Sequence, residues 1–173
     1  MNYKKRWNFQ GKMYVYTYKL KGDEMPNSAH LHLILNHFPV IGTMMVVLIL
    51  IYAVFINNDK IKKLGMFLLV LIGLITIPVF MTGDKAASII KGNDGVLEEH
   101  IDPHEDFAKI SMIAMEVTAG ISLIALVLFR KEKAVPVWFG LLLLLLIIGV
   151  NLMMVYTGHL GGRISHDAIM KHF

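Results

Sequence analysis

The sequence predicts an all-α integral membrane protein, a four-helix bundle in which two pseudo-repeated helical hairpins can be recognised. Hydrophobic residues make up 55% of the 173 residues, charged residues only 17%, and the mean hydropathy is +0.58. Soluble domains are about 45–50% apolar and about 25% charged. Four apolar stretches approach or exceed the length of about 20 residues that a helix needs to cross a bilayer. This composition excludes a disordered chain and argues against a soluble enzyme.

The four predicted spans cover about residues 31–56, 64–81, 107–129 and 134–158, so that residues 25–173 form one transmembrane domain. Each stretch is apolar on all sides, which is typical of membrane helices, and none alternates as the strands of a membrane barrel do. Residues 1–24 form a polar N-terminal extension with a loose period-two pattern over Lys12–Leu20. We expect this extension to be flexible, bound to a partner, or non-native sequence, because a lone strand is marginal in water.

The charges lie at the ends of the spans and in the N-terminal extension. The loops 57–63 and 130–133 each hold three basic residues and one acidic residue, whereas the segment 84–106 holds two basic and seven acidic residues. Short loops rich in Lys and Arg favour the cytoplasm. We therefore expect these two loops on the cytoplasmic side of a bacterial inner membrane, although the basic extension favours the opposite orientation.

Partner classes follow from the same charge distribution. No continuous basic face is visible, so no nucleic-acid partner is predicted. The lipid bilayer is the expected environment, and a redox partner or other membrane subunits are the candidate protein partners.

The sequence contains no cysteine, which excludes disulfides, thiolate zinc sites and iron–sulfur clusters. Any metal or haem must therefore depend on histidine. The loops 57–63 and 130–133 contain no histidine, and every histidine is expected at the opposite membrane face. The eight are His30, His32, His37, His100, His104, His159, His166 and His172.

Three of these histidines stand where the chain enters or leaves the hydrocarbon, and an imidazole there is costly unless it is paired or ligated. His37 precedes Phe38 and Pro39, and His104 follows Pro103. We predict His37, His104 and His159 as haem or metal ligands. Further cofactor-binding candidates are His32, His100 and, as a partner for a propionate or phosphate, Arg163.

Glycines surround His159 over 158–162, and two readings of them stay open. They allow a backbone to approach a flat ligand closely, or Gly161 and Gly162 simply end the helix.

A weak internal repeat relates the two predicted hairpins. Val79–Gly83 ends the second span and Val155–Gly158 ends the fourth, while His37 opens the first and His104 the third. An axis along the membrane normal would relate two such hairpins. Under that symmetry His37 and His104 face each other, as the ligands of a bis-histidine haem b do.

Two polar residues lie inside the predicted spans at similar depth. Glu116 is the only acidic residue within a span, and Asn151 lies in the fourth. They are candidates for proton transfer or quinone contact, and the alternative is a structural hydrogen bond between them. No residue is predicted to be catalytic.

Three short motifs resemble those of a family of small bacterial four-helix membrane proteins. They are Asn36–Pro39, Thr82–Ala86 together with His104–Glu105, and Gly158–Gly162, and the resemblance covers about residues 25–170. Some related membrane proteins look like haem b cytochromes of respiratory chains, which implies electron transfer with quinone. Transmembrane di-haem cytochromes carry histidine pairs near both faces, whereas this chain has no histidine in the two loops of the second face. This departure argues against electron transfer across the membrane by this chain alone and favours one haem, or two close together on one side.

The expected function is therefore a haem b electron-transfer protein or a subunit of a respiratory complex. Two alternatives stay open. One is a non-redox membrane subunit or assembly factor whose histidine face docks a partner. The other is a membrane protein that handles metal ions through histidine and methionine. The sequence does not decide whether the protein is an enzyme.

Overall fold

The computed structural model describes residues 2–7, 13–18, 28–90, 98–131 and 133–170, with side chains over 31–88, 100–131 and 133–164. Within these residues the helices are α1 Ser28–Leu35, α2 His37–Phe55, α3 Asp59–Ile90, α4 Glu98–Leu128 and α5 Val137–Met170. The N-terminal extension contributes two strands, β1 Asn2–Trp7 and β2 Met13–Tyr18, which pair antiparallel. The period-two pattern in the extension therefore belongs to a β-hairpin.

The prediction of an all-α four-helix bundle is confirmed. Helix α2 packs between α3 and α5, α4 packs between the same two helices, and α1 packs against α3. The segments long and apolar enough to cross a membrane are Leu31–Phe55, Asp59–Ser88, His100–Leu128 and Val137–Ile164. Helices α3 and α4 begin before the predicted spans, and α3 and α5 end after them, because helices continue through polar residues beyond the hydrocarbon.

The apolar residues divide between a packed interior and the outside of the bundle. Leu50, Leu69 and Leu143 are fully buried at the centre. Large apolar side chains also cover the outside, where Leu145 is 69% exposed and Leu152 64% exposed. A soluble monomer rarely exposes so continuous an apolar surface. The bundle therefore has the surface of a multi-pass membrane protein in contact with lipid.

The first span is broken at Asn36, which differs from the single helix predicted over 31–56. The backbone N–H of Asn36 still donates to the His32 carbonyl at 2.9 Å, but α1 ends there and α2 starts at His37. Pro39 has no N–H to donate to the carbonyl four residues earlier. The short helix α1 is thereby set apart from α2 and lies against α3.

The loop between α2 and α3 is shaped by two asparagines. Asn57 has a positive φ of 50°, a conformation that asparagine adopts more readily than most residues. The side-chain oxygen of Asn58 accepts from the backbone N–H groups of Lys60 and Ile61, and so caps the start of α3.

Two lysines at the start of α3 connect this loop to the segment before α5. Lys62 is fully buried, and its Nζ donates to the Val135 carbonyl at 3.0 Å. Lys63 Nζ donates to the carbonyls of Lys131 and Lys133 at 2.9 Å each. The two basic loops of the sequence therefore lie together on one side of the bundle.

Candidate functional site

Two histidines from different halves of the chain meet at the other end of the bundle. His32 lies on α1 and His104 lies near the start of α4. Their ring centroids are 6.5 Å apart, and the ring planes are inclined by 79°. Both side chains are partly buried. The structure thus brings together two of the predicted histidines.

Each of these imidazoles is held by a backbone carbonyl of a neighbouring helix. His32 Nδ1 lies 3.0 Å from the Val79 carbonyl oxygen on α3, and His104 Nδ1 lies 3.0 Å from the Thr157 carbonyl oxygen on α5. A carbonyl can only accept, so Nδ1 carries the proton and Nε2 of the neutral ring keeps its lone pair. Histidines that bind metals are held in this way through their other nitrogen.

A glycine lies against each imidazole. A Cβ at Gly83 would be 3.0 Å from Cε1 of His32, and a Cβ at Gly161 would be 3.1 Å from Cε1 of His104. In both halves the glycine comes four residues after the carbonyl that holds the ring, and therefore lies one helical turn further along the same face. A larger residue at either glycine would displace the ring.

The internal repeat is thus present in space, with a different alignment from the one that the sequence suggests. The sequence aligns Gly83 with Gly158, whereas the structure gives Gly83 and Gly161 equivalent places. Gly161 and Gly162 do not end the helix, because α5 continues to Met170. Close packing against His104 overrides the weak helix propensity of Gly161.

The two imidazoles line a cavity of about 720 Å³ between α1, α2, α3, α4 and α5. Pockets for small molecules and cofactors span about 300–1,000 Å³. Most of the lining is apolar. Among the described residues that form it, none is Lys or Arg, and the ionisable ones are His32, His37, Asp84, His104 and Glu105.

The structure pairs His104 with His32, whereas the sequence predicts a pair of His37 and His104. His37 lines the cavity but is exposed, and its Nδ1 donates to the Leu33 carbonyl at 3.0 Å. The chain breaks at Asn36, so that docking of α1 on α3 carries His32 to His104.

The other predicted ligands lie outside the set of described residues that line the cavity. His159 and Arg163 are exposed on α5, and His100 is partly buried at the start of the third span. The side chains of His30, His166 and His172 fall outside the described residues. Of the three histidines predicted first as metal ligands, only His104 therefore belongs to the histidine pair.

Glu116 and Asn151 do not form the predicted hydrogen bond. Asn151 Nδ2 faces α2 and donates to Thr43 Oγ1 at 2.9 Å. Glu116 instead faces α3, where its carboxylate lies beside Gly73. Its Oε1 is buried and has no hydrogen-bond partner among the described residues. The two side chains lie at different helix interfaces, which the depth estimate from sequence does not distinguish.

The described residues contain no group of three or more His, Cys, Asp or Glu side chains arranged to hold a metal ion. Comparison of the chain with protein-family models, with curated proteins and with solved structures finds no significant match. The fold and the surface define a multi-pass membrane protein with a histidine-lined cavity at one end.

Proposed function

We propose that this protein is a membrane haem b electron-transfer protein or a respiratory-complex subunit, in which His32 and His104 would hold the haem. The observation that carries the proposal is the 6.5 Å separation of the two ring centroids. With metal–nitrogen bonds of about 2.0–2.1 Å, two imidazoles on opposite sides of one ion have their centroids about 6 Å apart. The spacing of the pair thus matches that of two axial ligands.

The number of ligands favours haem over a bare metal ion. Zinc sites use three or four protein ligands, whereas the described residues offer two imidazoles and no larger ligand group. Haem needs only axial ligands from the protein and supplies one-electron redox chemistry when bound. The chain orients both imidazoles through the carbonyls of Val79 and Thr157, and most of the cavity lining is apolar.

The described part of the cavity lining offers no direct ion-pair partner for the carboxylates of a haem. No Lys or Arg belongs to the described lining. The exposed cations Lys85 and Arg163 directly follow the lining residues Asp84 and Gly162 in sequence. Haem propionates would therefore meet cations only at the cavity rim, and Arg163 remains the predicted partner for them.

The proposal places the protein in a bacterial cytoplasmic membrane. The loops 57–63 and 130–133 would face the cytoplasm, because short basic loops favour that side. Their contacts through Lys62 and Lys63 support a common side for both loops. Electrons would then pass between the opposite face and a redox partner or another membrane subunit, with quinone as a candidate.

The test is an absorption spectrum of the full-length protein purified after haem-replete expression. The wild type should give a Soret band and a reduced-minus-oxidised difference spectrum of low-spin haem b. His32→Ala and His104→Ala should lose most of the haem, and added imidazole should restore part of the spectrum. His37→Ala and His159→Ala are matched controls and should retain it.

Three results would contradict the proposal. The first is a haem-free wild type, which would favour a non-redox subunit or an assembly factor. The second is stoichiometric zinc or copper without haem, which would favour metal handling. The third is a haem spectrum that survives loss of both His32 and His104.

A further inference from the structure

Three lysines lie together at the end of the bundle opposite the histidine pair. Lys63 on α3 donates from Nζ to the carbonyls of Lys131 and Lys133 at 2.9 Å each. The side chains of Lys131 and Lys133 are exposed. Backbone contacts therefore hold three positive charges from two separate segments beside one another. Lys63, Lys131 and Lys133 form what we name the lysine cluster.

The loop that completes the lysine cluster has an unusual backbone conformation. Lys131 has a positive φ of 60°, which is uncommon outside glycine, asparagine and aspartate. In this conformation its carbonyl accepts from Lys63, as does the carbonyl two residues later. Like charges repel each other even at the surface of a protein. The fold thus maintains an unfavourable arrangement of charge, which a bound anion would relieve.

The described carboxylates do not neutralise the lysine cluster. The loops 57–63 and 130–133 together hold six basic and two acidic residues. Asp59 binds Lys62 Nζ at 3.2 Å, and Glu132 lies outside the described residues. The exposed side chains of Lys60 and Arg130 add further positive charge at the same end. A ligand that fits this surface is therefore an anion.

Aromatic side chains place the lysine cluster at the boundary between head groups and hydrocarbon. The ring centroids of Phe129 and Phe139 are 5.4 Å apart, and those of Phe139 and Trp138 are 5.6 Å apart. Trp138 is 65% exposed, and tryptophan at the end of an apolar span is typical of this boundary. Leu145 and Leu152 follow at intervals of seven residues on the same face of α5 and are exposed as well. An anion with acyl chains would use both the lysines and this apolar face, whereas a soluble anion would use only the lysines.

We propose that the lysine cluster binds the phosphate of an anionic phospholipid, whose acyl chains pack on the exposed face of α5 beside Trp138. Lysine binds phosphate as a point charge, and basic positions between membrane helices on the cytoplasmic side hold anionic head groups. The bound lipid would hold the loops 57–63 and 130–133 together. The site lies at the opposite end from His32 and His104 and does not depend on the proposed haem.

The test measures which lipid lies beside Trp138. The chain has two tryptophans, so Trp7→Phe leaves Trp138 as the only one. The full-length Trp7→Phe protein is reconstituted in vesicles of phosphatidylcholine and phosphatidylglycerol, with brominated acyl chains on one lipid or the other to quench its fluorescence. Phosphatidylglycerol should associate with the site about fivefold more tightly than phosphatidylcholine.

Variants made in the Trp7→Phe protein separate charge from position. Lys131→Gln combined with Lys133→Gln should lower the preference below about twofold. Lys131→Arg combined with Lys133→Arg keeps both charges and should retain the preference. These side chains are exposed, so neither double variant should disturb the fold.

A second pair of variants tests whether the cluster is a defined site. Lys63→Met removes one charge and the contacts that hold the loop, and should lower the preference about threefold. Lys60→Met is the matched control, because it removes the same charge from an exposed side chain and should retain most of the preference.

Equal quenching by the two brominated lipids would overturn the inference, as would an unchanged preference when Lys131 and Lys133 are both replaced by glutamine. Equal losses from Lys60→Met and Lys63→Met would show a diffuse attraction to all loop cations and reject a defined site. Loss of the preference on addition of inorganic phosphate at constant ionic strength would assign the cluster to a soluble anion and reject the lipid.

Discussion

The ring of His104 lies directly against Gly161 of α5, where a Cβ would be 3.1 Å from Cε1 of the imidazole. The same relationship holds between His32 and Gly83 on α3, at 3.0 Å. Each ring thus has its position fixed from two sides, by a carbonyl at Nδ1 and by a glycine. Small changes at these glycines should therefore alter the histidine pair without touching either histidine.

If the histidine pair holds the proposed haem, Gly161→Ala should shift its spectrum and its midpoint potential, because the new methyl group displaces the ring of His104 by a few tenths of an ångström. Gly83→Ala should act in the same way through His32. Gly149→Ala is the control on α5, since a Cβ there meets nothing within 4 Å. It should leave the spectrum unchanged and stabilise the protein by up to about 1 kcal/mol, the difference in helix propensity. Identical spectra for all three variants would show that the glycines do not position the rings.

The angle between the two rings predicts a second spectroscopic property. The planes are inclined by 79°, close to perpendicular. If the proposed haem binds between rings at this angle, two iron d orbitals would be nearly equal in energy, and the ferric low-spin EPR signal would be strongly anisotropic. We expect such a signal from wild type at low temperature. A signal typical of parallel imidazoles would contradict the arrangement of His32 and His104.

Glu116 and Asn151 should respond oppositely to replacement by leucine. Glu116→Leu removes a carboxylate whose buried Oε1 has no partner in the described structure, and should stabilise the protein by about 1 kcal/mol. Asn151→Leu removes the hydrogen bond to Thr43 and should destabilise it by about 1 kcal/mol. Thermal unfolding in one detergent gives both values.

Glu116→Leu also tests the predicted role of Glu116 in proton transfer or quinone contact. A stable Glu116→Leu protein with altered redox activity would support that role. Unchanged activity and unchanged pH dependence would remove it.

Lys62→Met should strongly lower the stability of the fold, although the Lys62 ammonium group lies at the opposite end of the bundle from the histidine pair. The buried Nζ donates to Asn57 Oδ1 at 2.6 Å, to Asp59 Oδ1 at 3.2 Å and to the Val135 carbonyl. Loss of these bonds leaves acceptors unsatisfied, at a cost of about 1–3 kcal/mol. Lys60→Met is the matched control, because that side chain is exposed. Equal unfolding temperatures for the two variants would contradict this view of Lys62.

The spans could be predicted because lipid imposes long apolar helices, a requirement that composition alone reveals. The break at Asn36 was less visible, since Pro39 near the start of a helix is compatible with an unbroken span. His104 could be found from its position at a span boundary. Its partner could not, because the choice between His32 and His37 depends on how α1 docks on α3. The close packing at Gly161 could have been predicted, because a glycine inside a helical pattern often marks a place where another group packs closely.

The short helix α1 has a consequence for how the protein is assembled. A helix of eight residues is about 12 Å long and does not persist alone in water. It keeps its shape through docking on α3 and through the bond from His32 to Val79. The four long helices can therefore enter the bilayer first, with α1 settling afterwards. Docking of α1 on α3 would then be the last step of folding, and this step would complete the pair of His32 and His104.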